Sequence, residues 1–233
     1  MVTVKAVVIG LVLAGLAGCG AANASKPGAA PSASATAHAS AVPSTQAAAS
    51  AAMSASVTAA RSVRVSGVYT WPHARLRIDA DLFPSRMAGL LVDDGEPITV
   101  LGTGSTMDMK LTPALLRYFH RSAECARLCG RYVPLRRSLA QGYLRGYGLG
   151  STEHILQDTT PIGPKLVPVT YDGQRGLRWA APSYGPGAYV IVAATPQCFP
   201  LKVDVPGHFV LTFSQWNQVP APAAPSSVYR GSW

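Results

Sequence analysis

From position 61 onward, apolar and polar residues exchange places at every second position. Val63, Val65, Gly67, Tyr69 and Trp71 alternate with Arg64, Ser66, Val68 and Thr70. Leu76, Ile78, Ala80 and Leu82 alternate with Arg75, Arg77, Asp79 and Asp81. Successive side chains of a strand point to opposite faces, so this period predicts strands with one dry and one wet face. Further strands are expected over 86–92 and 97–101, joined by Asp93-Asp94-Gly95, since an Asp-Gly pair tolerates positive φ. Gly102-Thr103-Gly104 turns the chain into Met107, Met109 and Leu111, which alternate with Asp108 and Lys110. Five strands joined by short turns make an antiparallel meander. The same signals return over 166–170, 177–180, 188–194, 201–205 and 209–213, with turns at Asp172-Gly173 and Pro206-Gly207, and Trp216 is expected to close the core.

Two stretches carry a helical period instead. Residues 46–60 are Ala-rich, with Met53 and Val57 four apart, and Ala has the highest helix propensity. Thr112-Pro113 is a helix start, with Thr as cap and Pro in the first turn, and Leu115, Leu116, Phe119 and Ala123 follow at helical spacing until Gly130. Residues 131–135 read as a short strand, and 136–164 as short helices and loops broken by glycines. The fold class expected is α+β: a sheet of about ten antiparallel strands, dry on one face, covered by a few short helices.

The chain before this domain has another character. Lys5 precedes an apolar run over 6–16, too short to span a bilayer but suited to the core of a signal peptide. Leu16-Ala17-Gly18-Cys19 then resembles the lipobox of bacterial lipoproteins. The resemblance implies cleavage before Cys19, acylation of its thiol, and a cell-membrane protein anchored by lipid on the extracytoplasmic face. Residues 19–45 are Ala, Ser and Pro with almost no charge and form an expected disordered tether. The organisation expected is a signal peptide over 1–18, the tether over 19–45, one domain over 46–219 and a Pro/Ala/Ser tail over 220–233.

Charge narrows the partners. The chain carries a net +9, and 15 of its 20 bases are arginine. Such an excess attracts anionic surfaces. An exported chain without a nucleic-acid motif points to anionic lipid or wall polymer, not to nucleic acid. Seven arginines lie between Arg117 and Arg145 against the single acid Glu124. Guanidinium pairs well with phosphate, so Arg117, Arg121, Arg127, Arg131, Arg136 and Arg137 are expected to meet phosphate on a lipid head group or on the membrane, with a solvated basic face as the alternative.

With Cys19 assigned to lipid, Cys125, Cys129 and Cys198 remain, and a disulfide is permitted outside the cytoplasm. A bond between Cys125 and Cys129 is expected where a helix ends, with a bond from either to Cys198 as the alternative. The spacing fits no zinc pattern, and no metal or cofactor is expected. Ser151, His154 and Asp158 lie close together in sequence, but no strained elbow or oxyanion donors accompany them, so an enzyme is not expected.

Three short motifs fit one pattern. Ser62-Val63-Arg64-Val65-Ser66-Gly67 follows the first helix, Gly130-Arg131-Tyr132-Val133 follows the helical excursion, and Pro200-Leu201-Lys202-Val203 precedes Val210-Leu211-Thr212-Phe213-Ser214. Together, over about residues 46–219, they resemble the actinobacterial lipoproteins of the LppX/LprAFG type, whose fold is LolA-like. The resemblance implies a strongly curved half-barrel sheet plugged by helices, an apolar cavity that holds acyl chains, and a non-enzymatic role in binding or carrying a lipid or lipidated molecule. Leu76, Ile78, Leu82, Met107, Met109, Leu111, Leu115 and Phe119 are the candidate cavity wall, the methionines because thioethers adapt to varied shapes. The fold is also similar to that of periplasmic regulators, so the alternative is a protein-interaction or stress-sensing module whose core is filled. The chain departs from the family pattern at Cys125, Cys129 and the Gly-rich 142–150.

Overall fold

The computed structural model describes residues 41–233, apart from 73, 85, 94, 104–105, 136–148, 150–151, 153–154, 157–164, 226, 230 and 232–233. The expected signal peptide, Cys19, most of the tether, Arg136, Arg137 and the Ser151–His154–Asp158 group lie outside the described residues. Residues Ala39–Trp233 form one compact unit.

Eleven strands make a single antiparallel sheet among the described residues. They are β1 (Val63–Trp71), β2 (Ala74–Phe83), β3 (Arg86–Asp93), β4 (Glu96–Thr103), β5 (Thr106–Lys110), β6 (Tyr132–Pro134), β7 (Val167–Tyr171), β8 (Gln174–Ala180), β9 (Tyr189–Ala193), β10 (Pro200–Val205) and β11 (Phe209–Ser214). Their spatial order is β6-β5-β4-β3-β2-β1-β11-β10-β9-β8-β7. Each half is a meander, as short turns demand, and the halves meet where the first strand pairs with the last. The sheet is not closed, because its two ends are β6 and β7. An open sheet this wide twists and curls, here into a half-barrel around one apolar core. At the β7–β8 hairpin, Asp172 and Gly173 take φ of 48° and 73°, the paired positive values of a two-residue turn that matches strand twist.

Two of the sequence motifs prove to be one feature. β1 and β11 are neighbours, with Ser66 opposite Thr212 and Gly67 opposite Leu211. Thr212 Oγ1 donates to the Ser66 carbonyl at 3.0 Å, and the two hydroxyls lie 2.7 Å apart. The seam is reinforced just beyond β11. Asn217 Oδ1 accepts from Arg61 N at 2.7 Å, Asn217 N donates to the Ser62 carbonyl at 2.8 Å, and Val219 N donates to Ser62 Oγ at 3.2 Å. Trp216 stacks on Phe199 and Phe213 at 5.0 and 6.0 Å and donates Nε1–H to the Pro200 carbonyl at 2.8 Å, which satisfies its one polar group while the ring is buried.

α1 spans Gln46–Thr58, and Thr45 caps it by accepting from Ala48 N at 3.2 Å. Its buried stripe is Gln46, Ala49, Met53 and Val57. In the long connection from β6 to β7, Leu149, Thr152, Ile155 and Leu156 are helical, and Leu149 and Leu156 belong to the core.

Candidate functional site

The dry face of the sheet is built by the alternation that the sequence carries. β1 contributes Val63 and Val65, β2 contributes Leu76, Ile78, Ala80 and Leu82, and β5 contributes Met107 and Met109. Leu111, Leu115 and Leu116 close over them from the chain after β5, and α1 adds Ala49, Met53 and Val57. The structure thus gathers the candidate wall into one apolar cluster, with Phe119 partly buried at its margin. Leu76, Ile78, Leu82, Met107, Met109, Leu111 and Leu115 are each at most 3% exposed. A side chain with almost no accessible surface touches no water-sized space, so a ligand on this part of the face would have to displace its cover.

That cover differs from the single helix expected over 113–129. α2 runs only over Pro113–Tyr118, capped by Thr112, whose side chain accepts from Leu115 N at 3.1 Å. It stops at His120, which adopts φ 57°. Arg121 N donates to the Leu116 carbonyl at 2.7 Å and His120 N to the Arg117 carbonyl at 2.9 Å, the two bonds of a Schellman motif. A 3₁₀ turn over Ser122–Glu124 follows, then α3 over Cys125–Leu128. Leu128 is fully buried and anchors this piece to the core.

Cys125 and Cys129 are joined by a disulfide across α3, with Cα atoms 4.7 Å apart, and Cys198 is a buried free thiol. Both ends of the excursion are stitched together. Leu111 N donates to the Arg131 carbonyl at 2.9 Å, and Gly130 N to the Leu111 carbonyl at 2.8 Å. The segment from Thr112 to Cys129 is therefore a flap whose base is sewn into the β5–β6 ladder.

The candidate arginines separate into groups. Arg121 and Arg127 both grip Glu124, one turn from each. The hydrogen bond from Arg121 Nε, and then that from Arg127, hold the Glu124 carboxyl below its usual range. Arg117 and Arg131 are exposed. Beside Arg117, Tyr118 is 62% exposed and meets Phe119 edge-on at 5.4 Å, an aromatic contact point that the sequence pattern does not reveal.

The tail, expected as a plain Pro/Ala/Ser extension, returns to the flap. Tyr132 N donates to the Ser227 carbonyl at 3.0 Å, and Tyr229 N donates to the Tyr132 carbonyl at 2.7 Å, in a parallel bridge at Val228. Arg127 Nη1 donates to the Tyr229 hydroxyl, and the guanidinium lies 5.1 Å from that ring's centre.

On the wet face, sequence reasoning misses a second polar knot. Arg178 stacks over Tyr189 at 4.1 Å, and the Tyr189 hydroxyl accepts from Lys202 Nζ at 2.8 Å and donates to Asp204 Oδ2 at 2.9 Å. Lys202 and Asp204 pair at 2.8 Å. Burial disfavours the Lys202 charge, but the hydrogen bonds to Asp204 and Tyr189 outweigh it and raise the ammonium above its ordinary range. Finding this group requires the cross-strand register of β8, β9 and β10, which composition does not supply. Among the described residues no group of three His, Cys, Asp or Glu side chains could hold a metal, and no helix is long and apolar enough to cross a membrane.

No family model and no curated protein matches the chain. Solved structures do. LprF from Mycobacterium bovis superposes with a TM-score of 0.50 at 16% identity, over 76% of this chain and 96% of that one. The chain has the fold of LprF. The lipoprotein LppX from Mycobacterium tuberculosis is also similar, with a TM-score of 0.47 at 16% identity, over 76% of this chain and 98% of that one. The LprF fold accounts for the open antiparallel sheet and its few short helices; at this identity it assigns no residue a role.

Proposed function

We propose that this protein is a non-enzymatic envelope lipoprotein, anchored through Cys19, that binds or carries a lipid or lipidated molecule against the dry face of its half-barrel. The observation that carries the reading is a continuous apolar face, with Met87, Met107 and Met109 among its side chains, that spans both meanders of an open sheet and is closed by a flap of very short helices. The likeness to LprF and the lipobox point the same way. Loading takes place when the flap lifts and exposes Met107, Met109, Leu111 and Leu115. The flap offers the exposed Arg117, with Arg121 and Arg127 beside Glu124, and the exposed Arg131 stands at its base, for phosphate on a head group or on the bilayer.

One observation favours a second reading, an interaction or stress-sensing lipoprotein with a filled core: the near-zero exposure of the candidate wall. A single experiment separates the two. Among the described residues the core cluster runs from Ala49 to Trp216, inside the compact unit Ala39–Trp233, and that unit is taken as the one that folds. Purified from cells and analysed by native mass spectrometry, it is expected to carry bound lipid, and after delipidation to take up a fluorescent fatty acid. A domain that leaves the cell ligand-free and takes up no acyl probe removes the carrier reading. Binding to vesicles of anionic lipid that is insensitive to salt and equal to that on neutral vesicles removes the role given to the arginines.

A further inference from the structure

β6 is an edge strand, and edge strands present unpaired backbone groups unless something covers them. Its neighbours in the ladder assign the directions. Leu111 N and Leu135 N donate to the Arg131 and Met107 carbonyls across the β5–β6 pair, so the groups of Tyr132 and Pro134 face outward. Pro134 has no N–H to offer. The outward N–H and C=O of Tyr132 are both taken by the tail, through Ser227 and Tyr229. The Tyr229 ring packs against the core cluster and lies beneath the Arg127 guanidinium. Gly231 lies against the hydroxyl end of the same ring, so close that a Cβ there would collide with it. Tyr229 therefore touches both bodies that must part when the flap lifts, β6 of the sheet and α3 of the flap, while Ser227 adds a second bond to β6 and Gly231 backs the Tyr229 ring.

We infer that the C-terminal segment around Tyr229 is the latch of the flap. It joins α3 to the sheet edge by two backbone hydrogen bonds to Tyr132 and by the Arg127 guanidinium on the Tyr229 ring and hydroxyl, and the stretch that leads to it, from Pro220 to Pro225, is Pro/Ala chain with little to bury. Such a fastening is weak enough to open without unfolding the sheet. Disulfide and Glu124 contacts hold α3 together internally, so the flap moves as one piece when the latch lets go. The inference rests on the carrier reading only for what the opening is for.

The test compares residues 39–233 with a chain ending at Pro225, and with the point variants Tyr229→Ser and Gly231→Ala, by amide hydrogen exchange and by the rate of fatty-acid probe uptake. Amides of Leu116 through Leu128 are expected to exchange roughly tenfold faster in all three variants, from the loss of the Tyr132 bonds and the Arg127 stack. Amides of β8–β10 serve as the measure of intact folding and are expected to hold their protection. Tyr229→Phe keeps the ring under Arg127 but loses the hydroxyl that accepts from Arg127 Nη1, and is expected to exchange more slowly than Tyr229→Ser and faster than the parent. Unchanged exchange in the flap of the truncated chain overturns the latch, whatever the probe does. Faster exchange without faster probe uptake upholds the latch and counts against the carrier reading instead.

Discussion

The Cys198 thiol donates to the Thr195 carbonyl at 3.2 Å, in a turn where Cys198 itself adopts φ 49°. The side chain is fully buried, and burial disfavours the thiolate, raising the pKa from its ordinary 9.0 to about 11. Because the native state holds this proton more tightly than the unfolded state does, stability is unaffected below pH 9, falls as the unfolded thiol ionises, and levels off above pH 11. The loss from this group is about 3 kcal/mol at most, two units at roughly 1.4 kcal/mol each. Denaturant titrations between pH 8 and 11 are expected to show the decline, and Cys198→Ala is expected to flatten it. In native protein at pH 8 the thiol is expected to resist maleimide; rapid labelling would show that the site is open to solvent.

The disulfide closes a loop of one helical turn, and a loop this short removes little entropy from the unfolded chain. Chain-entropy reasoning gives about 2 kcal/mol. Replacing Cys125 and Cys129 together by Ser is expected to lower stability by about 1–2 kcal/mol, read as a shift of the urea midpoint at unchanged slope. An unshifted midpoint would mean that Leu128 and the Arg121–Glu124–Arg127 group hold α3 unaided.

How much of this is legible in the sequence depends on the range of the interactions. The strands are readable because a period of two writes itself into the order of Val63 to Leu82 and of Leu201 to Phe213. β6 lies within the short strand read over 131–135 and joins the ten strands of the two meanders to make eleven, but its pairing with β5 across the excursion leaves no periodic trace. The helix break at His120 is hidden, since a Schellman motif is advertised by glycine and here a histidine takes the left-handed position. The ties of Arg121 and Arg127 to Glu124 are local, and their spacing of three is present in the sequence for anyone who counts it. The return of Tyr229 to Arg127 and the knot around Tyr189 are not local, and only the folded register brings them together.

Gly67 sits at the seam between the two meanders. A Cβ built there would lie 2.9 Å from the Leu211 Cα, with the Val210 carbonyl closer still, so the backbone of β11 has to move to admit it. Gly67→Ala is expected to destabilise the domain by about 1–3 kcal/mol, the range for overpacking against rigid surroundings. Thermal unfolding checks this. A change within experimental error would imply that β1 and β11 slide apart at little cost, which their paired hydroxyls at Ser66 and Thr212 argue against.

Gln46 opens α1 and is only 4% exposed, yet its Oε1 accepts no hydrogen bond. An amide oxygen taken from water without a new partner costs roughly 1–3 kcal/mol. Leucine has a similar volume and no such debt, and Thr45 continues to cap the helix whatever follows it. Gln46→Leu is therefore expected to stabilise the domain by about 1 kcal/mol, which for a domain of this size raises Tm by roughly 2–4 °C. The outcome bears on function as well as stability. If the substitution stabilises the protein but slows the uptake of an acyl probe bearing a hydroxyl, relative to the plain fatty acid, then this oxygen is kept to receive a ligand's donor. If Tm falls, the oxygen is satisfied in solution, and the side chain contributes to the packing of α1 on the sheet.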